Sequence, residues 1–404
     1  MSRLEVDLTD PDTFVAGYPH EYFRRLRAES PVAWHPAAGG PGFWVLTKYR
    51  DVWNASLDQR TFSASRRGVI PKEWKSEEEY EAQKALLINM DPPRHTKYRR
   101  LVNLGFSPKM VNRQEPHIRE LTARIIDAIA ARGECDFVND VAAELPLQVI
   151  VEMIGVPIED RRMVFDWSNT MMAYDDPEFQ VSEDVGRRAA MEMYAYANQL
   201  AVERRKNPRD DLVSVLMTAE VDGEKLSEAE FDSFFLLLSV AGNETTRNLI
   251  SGGMLALIEH PAERARLQAD PALMPTAVEE MLRWVTPVMQ FQRTAVHDTE
   301  IRGQQIREGD RIAMWYGSAN RDEEAFPDSF RFDVGRSPND HLAFGIGPHF
   351  CLGSNLARLE IRIMFEELLR RLPDIRPAGP VERLRSNFIN GIKRMPVRFT
   401  PERR

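Results

Sequence analysis

The chain has 404 residues, a net charge of −9 and 43 % hydrophobic residues. That apolar share excludes a disordered chain and is enough for a substantial core. The acidic balance argues against nucleic acid as a partner, because phosphate binding needs clustered positive charge.

The opening, MSRLEVDLTDPDTF, carries no apolar signal core, so a cytoplasmic protein is expected. Residues 19–30 (PHEYFRRLRAES) read as an amphipathic helix, and 43–49 (FWVLTKY) as a strand running into another. Asp91 and the prolines after it open a helix over 91–106. Helical periodicity then dominates at 112–132, 139–154, 183–206 and 226–259. The last of these holds the longest apolar stretch, FFLLLSVAG (234–242). It falls far short of the roughly 20 residues that span a bilayer, so no integral membrane segment is expected. Strand signals are confined to the start, 291–303, 310–316 and 395–400. Beyond 290 the chain is mostly turn-rich, and a long irregular stretch inside a compact protein is usually functional. With no repeat and no linker, the reading is a mainly α chain with small β-sheets, whose length fits one large domain over 1–404 or two.

Cys135 and Cys351 make no disulfide framework and no CxxC metal pair. A free cysteine is most often a buried structural one. Zinc would need a fourth ligand beyond His341, His349 and Cys351, and none stands at zinc spacing. Yet Cys351 lies in AFGIGPHFCLGSNLARLE (343–360), just before a helical pattern carried by Leu356, Leu359, Ile363 and Phe365. A helix N-terminus favours an anion and predicts a lowered thiol pKa. Gly345, Gly347 and Gly353 let the backbone pack close and donate N–H groups to the sulfur.

FGIGPHFCLG (344–353) resembles the haem-binding loop of the cytochrome P-450 family, FGxGxHxCxG, at every defined position. The resemblance runs from FWVLTKY to MPVRFT and implies a single large haem domain of cytochrome P-450 fold. It makes Cys351 the proximal iron ligand of haem b. EEMLRW (279–284) resembles the family's ExxR motif, in which Glu280 and Arg283 lock the loop beneath the haem. The third member is an arginine in FRFDVGR, either Arg331 or Arg336.

In SVAGNETTRNL (239–249), Gly242 inside a helix costs roughly 1 kcal/mol against Ala, and Glu244, Thr245 and Thr246 put polar groups into an apolar helix. Such hydroxyls either mark a site or bond to the i−4 carbonyl and bend the helix. The segment is similar to the family's oxygen-activation motif. There the small residues make room for O₂, Thr245 hydrogen-bonds the distal oxygen and Glu244 relays protons. The resemblance also implies that His95, Arg99, Arg293 and His349 meet the haem propionates, with His341 a weaker candidate.

The implied enzyme is a monooxygenase that inserts one oxygen atom of O₂ into a C–H bond. No flavin or nicotinamide domain fits in the chain, so ferredoxin and ferredoxin reductase are the expected electron donors. They would dock on a basic patch of Lys97, Arg100, Lys109, Arg113 and Arg358. A monomer is expected. The pocket is assigned to Val69, Ile70, Met171, Met172, Val240, Ala241, Val288, Met289, Phe291 and Ile392, with wall from the segments 60–90, 171–180, 288–292 and 387–393. AGNETTRN (241–248), YDDPEFQ (174–180) and NGIKRMPV (390–397) resemble the actinobacterial branch that hydroxylates methyl-branched lipids, terpenoids and sterol side chains. Two alternatives are a peroxide-driven peroxygenase, which typically replaces the Glu244–Thr245 pair by arginine and proline, and a non-catalytic haem-binding sensor, which usually carries an output domain.

Overall fold

The computed structural model describes residues 6–37, 40–71, 76–172, 178, 183–220, 223 and 225–402. Its axis is the helix Glu228–Glu259, 32 residues and about 48 Å long. Ser227 and Glu230 form a reciprocal capping box at its start. This helix is buried on nearly every side, from Phe231 and Phe235 through Ile250 and Met254, as expected of an element running through a core. The helices Glu144–Ile154, Glu183–Lys206, Met274–Val285 and Ser354–Arg371 pack around it.

Glycines set how closely they approach. A Cβ on Gly242 would stand 2.6 Å from Ile150 Cγ1, and one on Gly252 would stand 2.8 Å from Val285 Cγ1. The glycine of the AGNETT segment is therefore fixed by helix-to-helix contact with Ile150 as well as by any need for space on the cavity side.

The predicted helices appear at Glu115–Ala130, Glu144–Ile154, Glu183–Lys206 and Glu228–Glu259, each within a few residues of its periodic pattern. Helices at Arg161–Met172, Leu212–Thr218 and Pro261–Ala269 were not anticipated. The sheets are small and join distant segments. The largest runs in the order Val32–His35, Phe43–Leu46, Arg311–Trp315, Gln290–Ala295, Phe62–Ser63. Phe43–Leu46 pairs parallel to Arg311–Trp315, with Trp44 opposite Ile312. The predicted C-terminal strand, Pro396–Arg398, lies between Glu134–Asp136 and Arg376–Pro377. No helix among the described residues is long and apolar enough to cross a membrane.

If contact with Ile150 is what demands glycine, Gly242→Ala should destabilise the protein by about 1–3 kcal/mol, because overpacking outweighs the gain in helix propensity. Ile150→Ala should then cost less in the Gly242→Ala background than alone. Thermal midpoints of the four proteins in that double-mutant cycle check it, and strict additivity would reject the contact.

Candidate active site

The loop before Ser354–Arg371 is a tight cradle. Gly345 (φ +66°) and Gly347 (φ +75°) take left-handed conformations that favour glycine, and the Cys351 N–H donates to the Phe344 carbonyl at 2.9 Å. A Cβ on Gly353 would meet nothing within 4 Å, and one on Gly345 only the His349 carbonyl at 3.9 Å, so both positions open onto space. Cys351, Gly353, Leu356 and Ala357 all line one cavity. The Gly353 N–H bonds to the sulfur, and Arg99 and Arg358 add positive potential. Burial nevertheless outweighs these and pushes the free thiol up. The expected lowering by the helix N-terminus is thus not met: a thiolate here requires a cation on the sulfur.

Beneath the loop, Glu280 and Arg283 are both fully buried and paired twice, at 2.7 and 2.8 Å. Glu280 also accepts from Arg336 Nε at 3.3 Å, Asn339 Nδ2 at 3.1 Å and the Asp333 N–H at 3.0 Å. Arg336 therefore stands against the pair, and Arg331 contributes only its carbonyl, which accepts from Arg336 and Arg283.

On one side of the cavity four cationic or imidazole groups converge. The rings of His95 and His349 lie 4.1 Å apart, and Arg99 and the buried Arg293 line the same wall. Neither nitrogen of His95 nor Nε2 of His349 has a hydrogen-bond partner among the described residues. Arg293 donates to the Gln292 carbonyl, and Arg99 to the Phe350 carbonyl and Asn103. Burial, with Arg99 and Arg293 nearby, holds His95 down at about 4. Buried donors without acceptors are rare, and this set fits an anionic guest. The donor set and the open cradle at Gly345 and Gly353 fit the haem that the loop implies: Cys351 would hold its iron, and the cationic edge would meet its propionates. His341 points elsewhere: its Nε2 bonds to Glu279, which is also held by Arg358 through two bonds.

The long helix forms the opposite wall. Phe234, Leu237, Leu238, Ala241, Gly242, Thr245, Thr246 and Leu249 face the cavity. The Thr245 hydroxyl donates to the Ala241 carbonyl at 3.0 Å, and Glu244 turns aside to pair with Arg247. Of the residues expected to line the pocket, Ala241, Val288 and Phe291 do. The others pack elsewhere. Met289 belongs to the core cluster of Trp315 and Phe14, Ile392 joins the main core, and Val240 is buried. Val69 is buried with its N–H on Asn89, and Ile70, like Val288 and Phe291, packs against the cluster of Leu384, Phe388 and Ile389. Met171 packs into a neighbouring core cluster. The Met172 side chain and nearly all of 173–182 lie outside the described residues. Leu87 and Ile88, from the expected 60–90 wall, line the cavity, and so do Phe234, Leu237 and Leu238, which were not anticipated. The i, i+3, i+4 spacing that leads back from Ala241 carried that signal.

The cytochrome P450 family model matches residues 13–374. A steroid C26-monooxygenase of Rhodococcus jostii is 45 % identical over 402 residues, covering 97 % of this chain and 84 % of that one. A methyl-branched lipid omega-hydroxylase of Mycobacterium tuberculosis is 43 % identical over 389 residues, covering 94 % and 90 %. Among solved structures, a cytochrome P450 of Mycobacterium marinum in complex with pseudoionone superposes with a TM-score of 0.90 at 40 % identity, over 99 % of this chain and all of that one.

Arg293→Leu should weaken haem retention by about ten- to a hundredfold, the loss expected for one charge-assisted bond to a buried anion. Transfer of haem to apomyoglobin measures it. Retention equal to wild type would remove Arg293 from the anion site.

Proposed function

The chain belongs to the cytochrome P450 family, and on that premise we propose that it hydroxylates a terminal methyl carbon of a sterol side chain or methyl-branched lipid. It is a haem-thiolate monooxygenase. Cys351 would hold haem b, which would supply reductive activation of O₂, with one oxygen atom for the substrate and the other for water.

The observation that carries the substrate reading is the wall facing the loop. Leu87, Ile88, Phe234, Leu237, Leu238, Ala241, Pro287, Val288 and Phe291 present hydrocarbon. Among the described residues, every charged one lining the cavity belongs to the His95–Arg99–Arg293–His349 cluster, except Glu360 on the cysteine helix. Such a wall rewards an aliphatic guest at about 25 cal/mol per Å² buried and offers no counter-charge to a polar one. The two relatives named for steroid and methyl-branched lipid oxidation, at 45 % and 43 % identity, support the same class.

The protein's own part is to place this guest and manage protons. Thr245 spends its O–H on Ala241, so its lone pairs are what the cavity sees and it accepts hydrogen bonds there. Glu244, the next residue back, takes protons from water and passes them inward. His95, Arg99, Arg293 and His349 hold the haem propionates. Glu280, Arg283 and Arg336 keep the cysteine loop in register. Electrons come from ferredoxin and its reductase, docked over exposed Arg100, Lys109 and Arg113. The Pro108–Arg113 helix packs on the helix that follows Cys351. Arg358 drops out of that patch, because Glu279 holds it.

Titration with a C27 sterol and with a methyl-branched fatty acid should give a low-to-high-spin shift. Product analysis should find the hydroxyl on a terminal carbon. No shift with either, or oxidation only within a ring, would reject the substrate class. Arg100→Glu should lower ferredoxin-supported turnover several-fold and spare peroxide-supported turnover, the pattern of a lost docking charge. Equal loss of both would place Arg100 outside the docking face.

A further inference from the structure

Two segments from opposite ends of the chain meet at the cavity wall formed by Val288 and Phe291. The first is the segment 384–390. Among the described residues none of it lines the cavity, although 387–393 was expected to. It acts at one remove. Val288 and Phe291 pack against its cluster of Leu384, Phe388 and Ile389. The Phe388 ring lies 5.6 Å from that of Phe291, and Ile389 pairs with Val288 in an antiparallel bridge. The Phe388 carbonyl accepts from the Met289 N–H at 2.9 Å, and the Asn390 N–H donates to the Pro287 carbonyl at 2.8 Å.

The second is the N-terminal strap, residues 7–14. Leu8 is fully buried, and its N–H donates to His35 Nε2 at 3.1 Å. Leu8 and Phe14 share a core cluster with Met289 and Trp315, so the strap's cluster reaches the residue next to Val288. The strap also holds the other segment. Asn387 Nδ2 donates to the Leu8 and Thr9 carbonyls at 3.4 and 3.2 Å, and Arg385 Nε donates to Asp12 Oδ1 at 2.5 Å. The Asp12 side chain is 64 % exposed, so that ion pair is worth little. The half-buried Asn387 amide is the stronger tie. A close-packed interior passes displacements on rather than absorbing them, and a small misplacement of a bound guest changes how it reacts.

We propose that the strap is a specificity-determining element and that Asn387 is its positioning residue. By tying the Phe388 segment to Leu8 and Thr9, Asn387 fixes how far Phe291 stands into the cavity, and so which carbon of the guest is presented for oxidation. The inference deepens the hydroxylase reading and rests on it for the class of guest.

Asn387→Ala in the haem-loaded enzyme tests the tie without any substrate. Two azoles are titrated by absorbance, imidazole and the bulkier 4-phenylimidazole. The variant should bind 4-phenylimidazole about two- to tenfold more tightly relative to imidazole, because a freed segment lets Phe291 yield. That is the range that one or two neutral hydrogen bonds can redistribute. Imidazole affinity and the spectrum of the reduced carbon monoxide complex should match wild type, which a general loosening would not allow. A ratio unchanged or lowered overturns the proposal. Phe388→Leu should move the ratio the same way, and Asn387→Ala should add little in that background. Strict additivity of the two overturns the path through Phe388. Should Asn387→Ala fail to fold, Asn387→Ser is read in the same way. With a methyl-branched fatty acid, the ratio of terminal to in-chain hydroxylation should fall about as much in Asn387→Ala, and a product ratio held at the wild-type value overturns the specificity role. Wild-type enzyme that oxidises neither sterol nor branched lipid would reject the substrate class instead, and the azole ratio then decides the strap alone.

Discussion

The buried carboxylate of Glu280 is the contact on which the C-terminal third depends. Residues 320–342 have almost no regular secondary structure, so their carbonyls have no ladder to join, yet buried carbonyls must find donors. Two guanidinium groups supply them. Arg283 donates to Asn320 O, Ser329 O and Arg331 O, and Arg336 to Pro327 O, Asp328 O and Arg331 O. Both are held in place by Glu280. An uncompensated carboxylate at 0 % exposure would be prohibitively costly, and so would either guanidinium alone. The three charges make sense only together. They turn an irregular segment into a rigid floor beneath Cys351.

Above that floor the cavity is divided in its chemistry. One edge gathers two imidazoles and two guanidiniums whose donors find few acceptors within the chain. The opposite wall is hydrocarbon. Burial and the neighbouring guanidiniums hold His95 low, and buried donors of this kind are best satisfied by carboxylates. The same reasoning explains the raised Cys351 thiol. The polypeptide is an incomplete set of charges, complementary to one cofactor.

Legibility in the sequence followed the physics of each element. Helices with a clear apolar stripe, such as Glu115–Ala130, were visible because their faces differ. The Cys351 loop, Glu280 with Arg283, and the four residues of the cationic edge were visible because chemistry fixes their spacing or type. Arg336 could not be separated from Arg331 by sequence, because what distinguishes them is which side chain folds back onto Glu280. The pocket residues fared worst. Val69, Val240, Met289 and Ile392 are as apolar as Val288 and Phe291, and only the direction of a side chain across a tertiary interface tells wall from core. The lowered thiol pKa was misjudged for a related reason, since a helix terminus is local but desolvation depends on everything packed above it.

The parallel pairing of Phe43–Leu46 with Arg311–Trp315 has a consequence for how the molecule is made. During synthesis the N-terminal hairpin emerges with one edge unsatisfied, and the strand that covers it lies more than 260 residues further along. The anion-binding edge is divided in the same way, with His95 and Arg99 made early and Arg293 and His349 late. Contacts of such long sequence separation form slowly, and an open strand edge invites association with other chains while it waits. The nascent protein must therefore remain unclosed until its last quarter has left the ribosome, and the cofactor can be captured only by an almost complete chain.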